Sequence, residues 1–422
     1  MKLFPNPLRC LLAFALLAPL SGCAGFWQPI NSTTTTSGGS TTGDYVFVGK
    51  TGNTSIAAYA VASTGLTAVT GSPFSLAYAP LALAVTPSDS FLYAGTAQGV
   101  YGFSIGTGGV LTSLNSGGAI ANTPTAMAPS AAIAISPDGN YLAVLSEPTL
   151  GSGQFYINLY VINSTTGLLT YNGAEGTITL SAAYNPATAT PRSIQFSPSE
   201  STQTTSVIVA ALGTGGDAAF TFNSTSGAIS TLPTDQVLPP STTSSDNAAI
   251  WNSASNAIFI PRNAASPVLA VYTINTTIGT FTTDTAPQLT QATGNNPVAA
   301  AFNQSQSDVY VANANDATVS AYAVSTSTST ITVTAQLSSG PYTTSGTAPT
   351  AIAYDKSGSY MLVLNQAGPP DLLQYTVDGI SNPSTATPGR LYINSSVSTG
   401  LVINSSFSAN YSNTGVSLAM TH

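Results

Sequence analysis

Val319-Ser320-Ala321-Tyr322-Ala323-Val324 sets an apolar residue, two open positions, an aromatic ring, one open position and a second apolar residue into six. The aromatic of this arrangement recurs seven times, as Tyr59, Phe103, Tyr160, Phe220, Tyr272, Tyr322 and Tyr375, at intervals of 44, 57, 60, 52, 50 and 53 residues. A period near 50 marks an array of small units, none of which can bury its apolar face alone.

Outward from each copy the same signals recur in the same order. Ahead of the aromatic hexapeptide lies a short apolar run: Tyr45-Val46-Phe47-Val48, Leu92-Tyr93-Ala94, Val309-Tyr310-Val311-Ala312 and Tyr360-Met361-Leu362-Val363. Ahead of that run stands a turn, clearest in Ser136-Pro137-Asp138-Gly139 and echoed in Thr86-Pro87-Ser88-Asp89 and Asp355-Lys356-Ser357-Gly358. Pro presets φ, Asp bonds its own backbone and Gly accepts positive φ, so these stretches join hairpins. Further upstream is another apolar run, such as Ala131 to Ile135 or Ala351 to Tyr354, and downstream come a Gly or Ser/Thr turn and a weak fourth strand, as at Thr166 to Thr170 and Ser226 to Ser230. Four short strands per unit without a helical period describe an all-β fold, a seven-bladed β-propeller of four-stranded antiparallel blades. The first unit begins at its second strand, and Val416-Ser417-Leu418-Ala419-Met420 reads as the missing innermost one. The ring is therefore expected to close by the C-terminal strand joining the first blade, which removes exposed sheet edges.

Residues 1–22 read as a bacterial lipoprotein signal peptide. Lys2 and Arg9 precede the apolar stretch Leu11 to Leu20, which is too short to span a bilayer. Leu20-Ser21-Gly22-Cys23 resembles a lipobox, with Cys23 as the lipid acceptor. Residues 23–44 then form a Ser/Thr/Gly-rich tether and 45–422 the propeller, about 380 residues. Such a chain is expected in the bacterial cell envelope, extracytoplasmic and touching the membrane only through its anchor. With Cys10 in the leader, Cys23 is the single mature cysteine and no internal disulfide can form.

Only 5% of residues are Asp, Glu, Lys or Arg, against about 25% in ordinary soluble domains. Without Lys2 and Arg9, five basic residues face 15 acids, a net charge of −10. No basic stripe exists, which argues against nucleic acid as a partner. Cys and His are too scarce for a zinc or copper centre and no cofactor is expected, while calcium stays open, with Asp side chains and loop carbonyls near the central channel as its ligands.

Propeller topology sorts the few charges. Loops entering the innermost strand and loops between second and third strands share one face, called here the entry face. The Ser-Pro-Asp-Gly turns lie on the opposite, turn face and carry Asp89, Asp138 and Lys356. On the entry face fall Arg192 before its innermost strand, and Lys50, Glu147 and Arg262 at the ends of second strands. Asp217, Asp316 and Asp371 follow in the adjoining loops, and Asn313 and Asn365 close second strands.

The unit Val309 to Asn313 with Asp316 to Tyr322 behind it, and Thr190-Pro191-Arg192-Ser193-Ile194-Gln195-Phe196-Ser197-Pro198, resemble the seven-bladed lactonase propellers, which include 6-phosphogluconolactonase-like and carboxymuconate-cyclase-like proteins. The resemblance implies an Arg, a His and a Glu in catalysis, carried by Pro-Arg-His before an innermost strand and Asn-Glu closing the next strand. Arg192 matches the Arg, while Ser193 stands in the place of the His and Ala211-Leu212 in the place of Asn-Glu. Glu147 follows Ser146 at the Glu position one blade earlier, and Asn365-Gln366 is a neutral version in the last blade. Opening a lactone needs a base for water and a donor for the developing oxyanion. The sole imidazole is the terminal His422.

Two functions follow as expectations. The first is a monomeric binding module presenting Lys50, Asp217, Asn313, Asp316 and Asn365 beside Arg192 to a small molecule, a carbohydrate or an envelope protein. The alternative is a lactone hydrolase with Glu147 as base and Arg192 or Arg262 as anion holder.

Overall fold

The structure, a computed structural model, describes residues 43–120, 129–180, 187–198, 205–230, 243–275, 280–281, 289–326, 331–336, 340–355, 357–377, 389–403 and 416–421. The expected leader, Cys23, most of the expected tether, Lys356 and His422 lie outside the described residues. No helix among those described is long and apolar enough to cross a membrane.

Blade 1 runs outward from Val416–Met420 through Asp44–Lys50 and Ser55–Ala62 to Gly65–Ala68. Blade 2 is Pro80–Val85, Phe91–Thr96, Gly99–Ile105 and Leu111–Ser113; blade 3 is Ala132–Ile135, Tyr141–Ser146, Gln154–Ile162 and Leu169–Thr179. Blade 6 is Pro297–Phe302, Asp308–Asn313, Thr318–Thr326 and Ile331–Gln336, and blade 7 is Thr347–Tyr354, Tyr360–Ala367, Leu372–Val377 and Leu391–Val397. Blades 4 and 5 lie in one ten-stranded sheet. Blade 4 contributes Ala189–Phe196, Thr205–Gly213, Asp217–Asn223 and Ala228–Ile229, and blade 5 contributes Ile250–Trp251, Ala257–Asn263, Val268–Asn275 and Leu289–Ala292. The two-residue strand Ser245–Asp246 joins them, pairing with Gly213 on one side and with Arg262 and Asn263 on the other.

The aromatic of the repeat occupies one register in all seven blades. Tyr59, Phe103, Tyr160, Phe220, Tyr272, Tyr322 and Tyr375 stand opposite Val46, Leu92, Leu142, Ile208, Ile258, Val309 and Met361. All seven rings are buried. Their burial is shared between blades, because a four-stranded sheet has two apolar faces and must cover both. Seven apolar clusters result, one at each seam. The seam between blades 7 and 1 packs Leu362, Leu364 and Leu372 against Val46, Val48, Val416 and Met420. Its sheet register runs from Val46 opposite Met420 to Lys50 opposite Val416, so the C-terminal strand closes the ring as the sequence predicts.

The turn-face hairpins are built as expected. Asp138 accepts the Asn140 amide at 3.1 Å, and Asp355 accepts the Tyr360 amide at 2.6 Å. These carboxylates tie their own turns.

Candidate functional site: the entry face

Four residues beyond the position opposite the repeat aromatic, within two residues of the ends of the second strands, stand Lys50, Thr96, Ser146, Leu212, Arg262, Asn313 and Asn365. The next residues include Glu147 in blade 3, Gly213 in blade 4 and Gln366 in blade 7. The counterpart of Glu147 in blade 4 is therefore Gly213. This shifts the reading from sequence by one residue: the Asn-Glu place is Leu212-Gly213, because pairing with Phe220 rather than similarity of the flanks sets the register. Gly213 has φ +62°, and a Cβ there would lie 2.9 Å from Nε of Arg192. Only glycine allows the guanidinium to lie against that backbone.

Two ion pairs account for four of the charges. Lys50 is 1% exposed and donates through Nζ to Oδ2 of Asp371 at 2.6 Å and to the Gln366 carbonyl at 3.1 Å. Asp371 accepts the Thr399 amide at 2.7 Å and its hydroxyl at 2.6 Å. It lies just before the third strand of blade 7 and is buried, so this ion pair ties the last blade to the first. Arg262 donates from Nε to Oδ1 of Asp246 at 2.8 Å and through a terminal nitrogen to the Tyr272 hydroxyl at 2.6 Å. Burial alone would lower the Arg262 pKa, but Asp246 and Tyr272 together raise it.

Arg192 differs. It lies within the innermost strand of blade 4, not before it, in a stretch where the register shifts between Ala189 and Ser193. Nε is buried without a hydrogen-bond partner, and no carboxylate of the described residues pairs with the guanidinium. Burial lowers its pKa to about 10, which leaves it protonated at neutral pH.

Glu147 is 1% exposed. Oε1 accepts the Gly153 amide at 3.4 Å, and Oε2 has no partner among the described residues. Burial raises its pKa to about 7, against the opposing pull of the amides of Gly153, Gly151 and Ser152. No ion pair joins Glu147 to Arg192 or Arg262 among the described residues. Because the folded value exceeds the ordinary 4.5, the contribution of Glu147 to stability is full below about pH 4.5 and is lost as pH rises through about 7. Glu147→Gln is expected to remove that loss. Its stability relative to the parent should improve by up to about 3 kcal/mol between pH 4.5 and pH 8, read by urea unfolding at each pH. Parallel profiles would contradict the assignment.

Asn313 is buried, donates to Thr318 and Ser320, and leaves Oδ1 unpaired. Both amide atoms of buried Asn365 lack partners. Asp316 lies in a loop as expected and accepts the Asn295 amide at 2.7 Å and its Nδ2 at 2.9 Å. Asp217 is not in a loop: it is the first residue of the third strand of blade 4 and is 0% exposed. Its partner is Asp246, which the sequence reading passed over. The signal was present, because Asp217 breaks the repeat. The first position of the hexapeptide is Ile56, Val100, Ile157, Leu269, Val319 and Leu372 in the other six copies, each 0% exposed. Among the described residues no group of three or more His, Cys, Asp or Glu side chains converges as a metal site would require.

Comparison with known proteins agrees with this architecture. Residues 42–243 match the family model "Lactonase, 7-bladed beta-propeller". No curated protein matches the sequence significantly. Among solved structures, a proposed 6-phosphogluconolactonase of Bacteroides fragilis superposes with a TM-score of 0.63 at 14% identity, over 91% of this chain and 100% of that one. A Lactobacillus plantarum protein gives 0.60 at 16% identity, over 90% and 99%. The periplasmic gluconolactonase of Pseudomonas aeruginosa gives 0.59 at 15% identity, over 85% and 96%. At these identities the superpositions speak for the fold alone. With its first four blades matching that family model and three more of the same build completing the ring, the chain folds as a seven-bladed β-propeller whose residues 42–243 resemble the lactonase family.

Proposed function

We propose that the protein is a lipid-anchored, extracytoplasmic binding module whose entry face takes a small anionic molecule on Arg192. One observation carries this reading: Arg192 is half-buried and charged, and its Nε is buried without an acceptor. Desolvating a cation is costly unless an anion compensates it, and Lys50 and Arg262 each have a carboxylate where Arg192 has none. A ligand carboxylate would meet the planar fork in the bidentate geometry that arginine favours. Asn313 and Asn365, with unpaired amide atoms at the equivalent strand ends of blades 6 and 7, add neutral polar groups to the same face. The test is calorimetric titration of the folded domain with a panel of hydroxycarboxylates and their lactones. Arg192→Met should weaken the best carboxylate by about 10-fold or more. Equal affinity in parent and variant would overturn the assignment.

Glu147 favours a second reading, lactone hydrolysis. A carboxyl titrating near neutrality suits a general base. Glu147 would take a proton from water as the hydroxyl oxygen bonds to the lactone carbonyl carbon. The ring carbon–oxygen bond then breaks, the ring oxygen is protonated, and the new carboxylate remains for Arg192 to hold. Turnover of a lactone that rises with pH through about 7 and vanishes in Glu147→Gln would establish it; turnover that survives the substitution would remove Glu147 from the chemistry.

A further inference from the structure

Asp217 poses a problem that neither reading absorbs. A carboxyl fills a position that six of seven blades give to an aliphatic side chain with no solvent exposure. An ionised carboxylate there, without donors, is far less stable than a neutral acid. Neither Oδ1 nor Oδ2 receives an N–H or O–H from any described residue. Asp217 stands opposite Ala211 and Asp246 opposite Gly213 at the end of the same strand, so the two buried carboxyls are neighbours, and Asp246 raises the Asp217 pKa through its charge and a side-chain hydrogen bond. Two carboxylates bond in this way only when one proton sits between them.

The surroundings say which oxygen holds it. Asp246 faces Arg262 across a paired register and accepts its Nε–H at 2.8 Å, so Asp246 is the ionised partner and Asp217 the neutral acid that donates to it. Four other elements pack on the pair. The second strand of blade 4 contributes Gly213, paired to Asp246, and no charge. The innermost strand of blade 4 contributes Arg192, which reaches the Gly213 backbone without an ion pair to either acid. The second and third strands of blade 5 contribute Arg262 and Tyr272. With one proton, two carboxyls and one guanidinium, the cluster is neutral. Burial raises the Asp217 pKa well above the ordinary range, and the Asp246 charge raises it further.

The position matters as much as the chemistry. Ser245–Asp246 is the strand that bonds to both blade 4 and blade 5, and among the described residues no other seam has a strand shared by two blades. We propose that Asp217 and Asp246 share a single proton that latches this strand to both blades, so that releasing the proton loosens the entry face between blades 4 and 5. On release the proton passes to solvent, two negative charges meet inside the seam, and Arg262 can neutralise only one. The latch contributes stability that is full below the pKa of an ordinary Asp and declines as pH rises toward the raised folded value.

The test is an infrared difference spectrum of the full chain against Asp217→Asn at neutral pH, with thermal unfolding of both across a pH range of about 5 to 9. Asn keeps a donor toward Asp246 and cannot titrate. Asp217→Leu, which restores the aliphatic residue of the other blades, provides a second non-titrating variant. The difference spectrum should show the carbonyl stretch of a protonated carboxylic acid in the parent only. The parent Tm should fall by about 2–4 °C relative to either variant as pH rises. Absence of the protonated-acid band at neutral pH, or Tm profiles of parent and folded variants that run parallel, would overturn the proposal.

Discussion

A chain ending at Gly415 is expected to lose cooperative folding. The deleted strand supplies Val416 and Met420 to the seam between blades 7 and 1, and its removal uncovers Val46 and Val48, both 0% exposed in the closed ring. Fully burying a side chain of this size stabilises by about 1.5–3 kcal/mol, so four of them account for roughly 6–12 kcal/mol. That is comparable to the entire stability of an ordinary domain, about 5–15 kcal/mol. The deletion also strips the hydrogen-bonding partner from Asp44–Lys50, which becomes an open edge in an apolar sheet. Circular dichroism and gel filtration should therefore find loss of the sharp thermal transition and concentration-dependent association. A truncated chain that melts sharply as a monomer within a few degrees of the parent would show that the seam contributes little.

Lys50→Met is expected to be the most damaging point substitution on the entry face. It removes the cation and leaves Asp371 buried, holding only the amide and hydroxyl of Thr399. Breaking a buried ion pair from one side costs about 3–5 kcal/mol, because the remaining charge is left uncompensated. Replacing both partners by apolar side chains of similar volume is often neutral or stabilising, since the desolvation penalty disappears with the pair. Lys50→Met with Asp371→Leu should accordingly recover most of the loss. Urea unfolding of the parent, both single variants and the double variant closes the cycle. Additive losses would mean that the two side chains act independently.

How much of this was legible in the sequence depends on the kind of interaction involved. The ring was readable because the Tyr322 hexapeptide and its six relatives report a local geometry, an aromatic opposite an apolar residue, that every blade repeats. Closure was readable for the same reason. A first blade that begins at its second strand lacks an innermost one, and Val416–Met420 was the apolar run left without a blade of its own. Spacing alone placed Lys50 and Asn313 at strand ends, Glu147 one residue beyond its strand and Asn365 two residues short of the end of its own. Pairings were not legible. Lys50 meets Asp371 across 321 positions, and Asp246 sits in a short bridging strand with no repeat signal of its own. Seven near-identical frames also allow a slip of one residue, as at Leu212-Gly213, which only the hydrogen-bonded register resolves. Asp217 was visible as a charge but was assigned to a loop by its polarity, when its place in the hexapeptide put it in the core.

The closed ring is what brings sparse, distant charges onto one face, and a cysteine pair tests it directly. Val48 and Leu418 are opposite one another in the closing sheet. Three residues along each strand, the amide of Thr421 donates to the Tyr45 carbonyl, which makes positions 48 and 418 a non-hydrogen-bonded pair with side chains close enough for a disulfide. The chain carrying Val48→Cys and Leu418→Cys, oxidised while folded and without denaturant, should form an intramolecular bridge that links its two ends and shifts its mobility on a non-reducing gel. Thiols at 48 and 418 that stay free in the folded protein would contradict a ring sealed by its C-terminal strand.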